Sequence, residues 1–380
     1  MYCSHLPSRV FAGRDAMNQL PVICAEDRRV VLLVDPGVLQ GPAIQAALES
    51  LRSTGVQVDV ISEIPSEPTC DQAQKVIDCC LAETPDRLIA MGGGSVMDIA
   101  KLASVLTKKV TVRDLLENSD SARRSLPTVM IPTTAGTGAE ATPNAIVAVP
   151  ERQLKVGIVS WEMIPDAVIL DGENTRTLPD RVAASTGIDA LCHAIECYTS
   201  RKATPFSDLY AMEALRLIFK NIEAACLDPD ATEAKDAMLL AAYYGGAAIA
   251  CSGTTAVHAL SYPLGGRYHI PHGVSNAIML LPVMRFNLPA CISRFAAVWD
   301  AISPGETIPE KEKAGKLLAR MEKIVHTLRI PTDLSGFGVS LKDQDELVTA
   351  GMQVQRLLQN NLRHVTEADA RELYREVLSE

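Results

Sequence analysis

Up to about residue 182, short apolar runs alternate with amphipathic stretches; beyond it the chain turns to long helical patterns rich in small residues. Arg29-Val-Val-Leu-Leu-Val-Asp35 is continuously apolar until Pro36-Gly37 closes it, the pattern of a strand buried on both faces. Residues 43–53 carry helical spacing and end at Gly55, residues 56–61 read as the next strand, and residues 69–83 as the next helix. Arg87-Leu-Ile-Ala-Met91 predicts a strand running into Gly92-Gly-Gly-Ser95, with a helix from Val96 to Thr107 after it. Residues 128–131, 155–159 and 167–170 add strands. Strands alternating with helices predict an α/β domain with a parallel sheet covered on both faces, over residues 1–182. Helical spacing then fills residues 181–199, 205–227, 233–252, 273–287, 309–328, 343–359 and 366–378, which predicts an all-helical domain over 183–380.

Composition narrows the function classes. A chain of 380 residues is long for one core and natural for two domains, and a hydrophobic share of 47% excludes disorder. A formal charge of -10, with no basic run, argues against nucleic acid or an anionic membrane surface as partner. No uninterrupted apolar run reaches membrane-spanning length, and Met1-Tyr-Cys-Ser-His-Leu-Pro7 lacks the charged-then-apolar pattern of a secretory leader. The ten cysteines are scattered through apolar stretches, as at Cys24, Cys192 and Cys251, and read as reduced thiols of a cytoplasmic protein.

Four residues carry the candidate chemistry. Asp189 and His193 lie in Gly187-Ile-Asp-Ala-Leu-Cys-His-Ala-Ile-Glu196, four apart and so on one helix face, roughly 6 Å between Cβ atoms. His258 and His272 lie in a second segment that ends Pro271-His-Gly273. One carboxylate and three imidazoles make a mixed O/N donor set suited to Fe(II) or Zn(II). Any one of the four alone would more simply be a hydrogen-bonded core residue or a helix cap. A second constellation surrounds the glycines. Gly92, Gly93, Gly94 and Ser95 stand between a strand and a helix, where bare backbone and helix N–H groups suit a pyrophosphate. The run is not GxGxxG, and an unliganded βα turn explains it equally well. Thr133, Thr134 and Thr137, in Pro132-Thr-Thr-Ala-Gly-Thr-Gly-Ala-Glu140, supply hydroxyls beside a further strand. Asp35 ends a strand, where it either caps the turn or accepts hydrogen bonds from an adenosine ribose, which would favour NAD over NADP.

Taken in order, Leu170-Asp-Gly-Glu173, Thr186-Gly-Ile-Asp-Ala-Leu-Cys-His-Ala-Ile-Glu196 and Pro271-His-Gly273 resemble the signature blocks of the iron-containing (group III) alcohol dehydrogenases, and the resemblance spans essentially the whole chain. It implies an α/β dinucleotide-binding domain followed by an all-helical metal-binding domain, a dehydroquinate synthase-like architecture. On the matching positions it implies Asp189, His193, His258 and His272 as ligands of Fe2+, with Zn2+ as alternative. It also implies Asp35, Gly92, Gly93, Gly94, Ser95, Asp98, Thr133, Thr134, Thr137 and Lys155 as contacts to NAD(H). The implied activity is hydride transfer between nicotinamide C4 and a small alcohol or aldehyde, in a homodimer or larger homo-oligomer. Two departures bear on this. Tyr262 stands where many relatives carry a histidine near the substrate, so proton handling falls to Tyr262 or to His269. Glu67 stands where relatives often carry an asparagine that helps hold the cofactor. Arg267 motivates an expectation that the aldehyde bears an anionic group. The competing readings are a dehydroquinate synthase-like lyase or cyclase, a zinc-dependent polyol dehydrogenase of the glycerol type, and a non-catalytic metal- or nucleotide-binding protein.

Overall fold

The apolar runs of the first half become strands covered on both faces. A computed structural model describes residues 2–106, 110–152 and 154–379, and the chain divides into two units, His5–Leu178 and Met1–Ser4 with Pro179–Glu380. The first unit opens with β1 (Arg9–Ala12), α1 (Gln19–Ile23), β2 (Arg29–Val34), α2 (Pro42–Ser53) and β3 (Gln57–Ile61). It continues with α3 (Cys70–Ala82), β4 (Arg87–Gly92), α4 (Gly94–Val105), α5 (Val112–Glu117) and β5 (Thr128–Pro132). β6 (Asn144–Val149), β7 (Leu154–Val159) and β8 (Ala167–Leu170) complete it.

Six strands form one sheet in the order β1-β8-β5-β4-β2-β3, with every neighbouring pair parallel. Val30, Val31, Leu32, Leu33 and Val34 are fully buried, so β2 shows a continuous apolar run instead of an alternating one. Val30, Leu32, Val34, Ile89, Met91, Val129, Ile131 and Ile169 share one face and pack against Leu20 of α1 and Leu51 of α2. The order reverses between β2 and β4, whose carboxyl ends carry Asp35 and Gly92. In open α/β sheets such a reversal opens a crevice at the strand ends, and ligands bind there.

α4 is the central helix of this unit, with Val96 to Val105 buried throughout. Its Lys101 is fully buried, ion-paired to Asp98 at 2.8 Å, and donates to the carbonyls of Ala139 (2.9 Å) and Asn144. Asp98 also accepts from the Ile146 backbone N–H at 2.9 Å. These bonds tie the helix to the loop and to β6. Two strands depart from the sequence expectation. β1 is a short edge strand whose apolar run, Val10-Phe-Ala12, is brief and mostly exposed. β6 alternates buried and half-buried positions and pairs antiparallel with β7, so residues 155–159 belong to a separate hairpin and not to the parallel sheet. The expected helix 96–107 starts two residues earlier, at Gly94; Thr107 lies outside the described residues.

The second unit is helical: α6 (Asp180–Tyr198), α7 (Pro205–Leu227), α8 (Thr232–Ser252), α9 (Ala256–Tyr268), α10 (His272–Ile302), α11 (Glu310–Thr327), α12 (Gln344–Gln353), α13 (Gln355–Leu358) and α14 (Glu367–Val377). α9 is absent from the sequence expectation because Pro263, Gly265 and Gly266 disfavour a helix locally; tertiary contacts at its N-terminus hold it. α10 runs fifteen residues beyond the expected end, through Pro282 and Pro289. Its residues Ser275 to Met284 are buried without interruption, which marks a core helix. The stretch 343–359 breaks into α12 and α13 at Val354.

Glu140 is buried in the loop after β5, and its Oε1 has no hydrogen-bond partner among the described residues. Burial pushes its pKa from 4.5 up to about 7, against the pull of Lys101. The native carboxyl therefore keeps its proton to higher pH than the unfolded one, and stability falls as pH rises from about 4.5 to about 7. Denaturant titrations at pH 5 and pH 8 are expected to show Glu140→Gln sparing the protein a loss on the order of 3 kcal/mol between the two.

Candidate metal centre

Three helices bring four donor side chains to one point inside the helical unit. α6 presents Asp189 and His193 one turn apart, α9 presents His258 in its first turn, and α10 opens with His272. Asp189 Oδ1 lies 3.7 Å from His193 Nε2, 3.7 Å from His258 Nε2 and 3.6 Å from His272 Nε2. All four donor atoms fall within 4.8 Å of one another. Asp189, His193 and His258 are buried, while His272 is half-buried. Gly273 permits this approach, because a Cβ there would stand 2.3 Å from the Ser185 carbonyl oxygen of α6. Any larger residue would push α10, and His272 with it, away from Asp189.

Glu196 fixes the third donor. Fully buried on α6, its Oε1 accepts from the backbone N–H groups of Thr255 (2.9 Å), Val257 (2.9 Å) and His258 (3.4 Å) and from the Thr255 hydroxyl (2.7 Å). One carboxylate oxygen thus satisfies the free N–H groups that open α9. Its Oε2 accepts from His258 Nδ1, which leaves Nε2 with its lone pair turned toward Asp189. Burial alone would raise the pKa of Glu196, but the hydrogen bonds from His258 and the Thr255 hydroxyl hold it below the usual range. Asp189 is likewise lowered against burial, by His193, His272 and His258 and by the Asn276 amide.

This donor set fits a divalent cation. Ligands about 2.1 Å from an ion in a tetrahedral shell sit about 3.4 Å from one another, close to the separations around Asp189 Oδ1. Fe(II) and Zn(II) both accept carboxylate and imidazole, so the donors do not choose between them.

Tyr262 lies one helical turn after His258, half-buried, with its ring centroid 6.3 Å from the His258 ring and 6.1 Å from the His272 ring. His269 sits elsewhere: it is exposed and ends α9 in a left-handed conformation, φ 55°. Arg267 is ion-paired with Glu346, both near half exposure, and leans on the Tyr268 ring.

The other sequence candidates belong to the first unit. Gly92 ends β4, Gly93 precedes α4 and Gly94 begins it. Thr137 would meet a Cβ at Gly94 at 3.0 Å, and Thr134 lies 3.6 Å from one at Gly93, so the two loops pack together. Thr133 is buried, and its backbone N–H donates to Gly92 O. Asp35 Oδ1 accepts from the Gly37 N–H at 2.8 Å, a turn-capping bond. Asp98 is taken up by Lys101 and Ile146. Lys155 Nζ pairs with Glu67 Oε1 at 2.7 Å, while the Glu67 N–H donates to Ser95 Oγ at 3.1 Å. Glu67 itself is left-handed, φ 50°, a conformation asparagine tolerates better than glutamate.

Sequence reasoning passed over Glu196 and Asn276, which both reach the donor cluster. The signal was spacing: Glu196 is three residues after His193 and Asn276 four after His272, each on the same helix face as a donor.

A parallel-sheet unit followed by a helical unit, with one aspartate and three histidines converging in the second, fits the class of metal-dependent enzymes. Family models agree: residues 7–172 match "Iron-containing alcohol dehydrogenase", and residues 183–378 match the C-terminal part of the Fe-containing alcohol dehydrogenase family. A long-chain-alcohol dehydrogenase of Geobacillus thermodenitrificans is 33% identical over 91% of this chain and 89% of its own length. A sulfoacetaldehyde reductase of Bilophila wadsworthia is 32% identical over 93% and 92%. Among solved structures, an iron-containing alcohol dehydrogenase from Thermotoga maritima superposes with a TM-score of 0.85 at 30% identity, covering 100% of this chain and 99% of the other. The chain belongs to the iron-containing alcohol dehydrogenase family, and its activity class is that of an oxidoreductase acting on alcohols and aldehydes.

Glu196→Gln keeps the shape but presents an amide to His258 Nδ1. A chelator competition is expected to show a divalent cation held about 10–100-fold less tightly than by the parent protein.

Proposed function

We propose that this protein is an NAD-linked, Fe(II)-dependent alcohol dehydrogenase or aldehyde reductase for small substrates. Asp189, His193, His258 and His272 would hold the cation, and residues His5–Leu178 would bind the dinucleotide through Gly92, Gly93, Gly94 and Ser95. The single observation that carries the reading is Asp189 Oδ1 standing within 3.6–3.7 Å of three imidazole Nε2 atoms.

When bound, the cation supplies Lewis acidity to an alcohol or carbonyl oxygen, and the nicotinamide carries the hydride. The chain's own residues do the rest. Burial of Asp189, His193 and His258 keeps water from three sides of the donor cluster, while half-buried His272 marks the side open to a substrate. Glu196 holds His258 in the tautomer that turns Nε2 inward. Tyr262, beside the His258 and His272 rings, is assigned the hydroxyl that passes a proton to or from the substrate oxygen. A phenol hydroxyl can both donate and accept a hydrogen bond, which suits it to that transfer. His269 is given a helix-ending role, in keeping with its exposure and left-handed backbone.

In the first unit the glycines leave room for a pyrophosphate, and Asp35, at the carboxyl end of β2, supports NAD over NADP by repelling a 2′-phosphate. Thr134 and Thr137 line the same turn, and Lys155 stands near it through Glu67 and Ser95. Asp98 contributes by anchoring α4. The family resemblance further supports a cytoplasmic homo-oligomer.

Protein loaded anaerobically with iron is expected to oxidise NADH in the presence of at least one small aldehyde. Asp189→Ala should lower that rate by about 100-fold or more. Absence of turnover across the panel, or an unaffected variant, would overturn the assignment.

Arg267 no longer supports an anionic substrate, since Glu346 already answers its charge and both groups are near half exposed. Arg267→Ala is expected to leave the preference between sulfonated and neutral aldehydes unchanged; a fall confined to the sulfonated ones would restore the anionic reading.

A further inference from the structure

Asn276 is fully buried on α10, one turn after His272, and its amide nitrogen faces the donor cluster. Nδ2 lies 2.7 Å from Asp189 Oδ1, 3.1 Å from His258 Nε2 and 3.2 Å from His272 Nε2. A side-chain amide has two N–H groups and cannot serve three acceptors at full strength. The shortest of the three contacts, and the one to a charged acceptor, is that to Asp189, and charge-assisted bonds are the stronger kind. The other end of the amide is also held. Ser261 Oγ on α9 donates to Asn276 Oδ1 and lies 3.1 Å from the His258 carbonyl oxygen. The amide therefore joins a donor from α6 to the helix that carries a donor from α9, while it sits on the helix of the fourth.

We propose that Asn276 is a positioning residue for the cation site: by donating to Oδ1 it fixes the rotation of the Asp189 carboxylate, and Ser261 fixes the direction of the amide. The inference rests on the metal-dependent reading above and adds a determinant of cation affinity outside the four donors. A carboxylate free to rotate in a buried site presents either oxygen and loses the convergence of its lone pair with the three imidazoles. Held by one charge-assisted bond, it presents a single oxygen in a single direction. Hydrogen-bonding partners of this type set metal affinity by about 10–100-fold in metal sites generally.

Cobalt(II) serves as the probe, since its visible absorption reports ligand geometry. Asn276→Ala is expected to bind Co(II) about 10–100-fold more weakly and to shift the visible bands. Ser261→Ala, which keeps the amide but frees its direction, is expected to move both readouts the same way by a smaller amount. A merely structural role for Asn276 would lower the thermal midpoint without moving the Co(II) spectrum, and that result overturns the proposal. So does unchanged affinity in a folded Asn276→Ala; if that variant does not fold, unchanged affinity and spectrum in Ser261→Ala overturn it. Failure of the parent protein to bind Co(II) is a different outcome, which removes the metal-dependent reading itself.

Discussion

The helical unit is organised by one buried carboxylate. Glu196 is fully buried on α6, where an unpaired charge would cost several kcal/mol. It accepts five hydrogen bonds, four on Oε1 and one on Oε2. The first four hold the start of α9, a helix that Pro263 and two glycines would otherwise disfavour. The fifth sets the His258 tautomer. A single side chain therefore determines that α9 exists in this place and that its histidine points the correct nitrogen inward. Asp189 lies two turns back on the same helix, so the two acids share one rigid frame. That shared frame gives Asp189 Oδ1 nearly equal distances to three imidazoles.

The parallel-sheet unit solves its problem differently. There the backbone supplies the cradle. β4 runs straight into Gly92, Gly93 and Gly94 at the point where the strand order reverses, and the loop after β5 presses Thr134 and Thr137 against those glycines. α4 is buried along nearly its whole length, and its Lys101 is spent on the Ala139 and Asn144 carbonyls, not on a ligand. Asp98 is similarly engaged. These two residues stabilise the frame around the turn.

Much of this was legible in the chain. Continuous apolar runs marked β2, β4, β5 and β8 because those strands are buried on both faces. The four donors were legible because two sit four apart on a helix and all lie within blocks that resemble a known family. What failed to show was whatever depends on contacts distant in sequence. β1 is held by β8 and not by its own composition. α9 relies on Glu196, some sixty residues away and on another helix. α10 continues through two prolines because its apolar length is buried against neighbouring helices. Glu196 and Asn276 share a helix face with a donor, but that spacing alone does not tell a hydrogen-bonding partner from any other polar residue on the face. Arg267 shows the converse: its type suggested anion recognition, and what the structure adds is a half-exposed pairing with Glu346 that no sequence pattern announced.

The ion pair between Glu67 and Lys155 carries one more consequence. The Lys155 ammonium is neutralised at 2.7 Å by a carboxylate whose own backbone is bonded to Ser95. A diphosphate held there, as proposed above, would rely on oriented peptide dipoles at close range more than on the charge of Lys155.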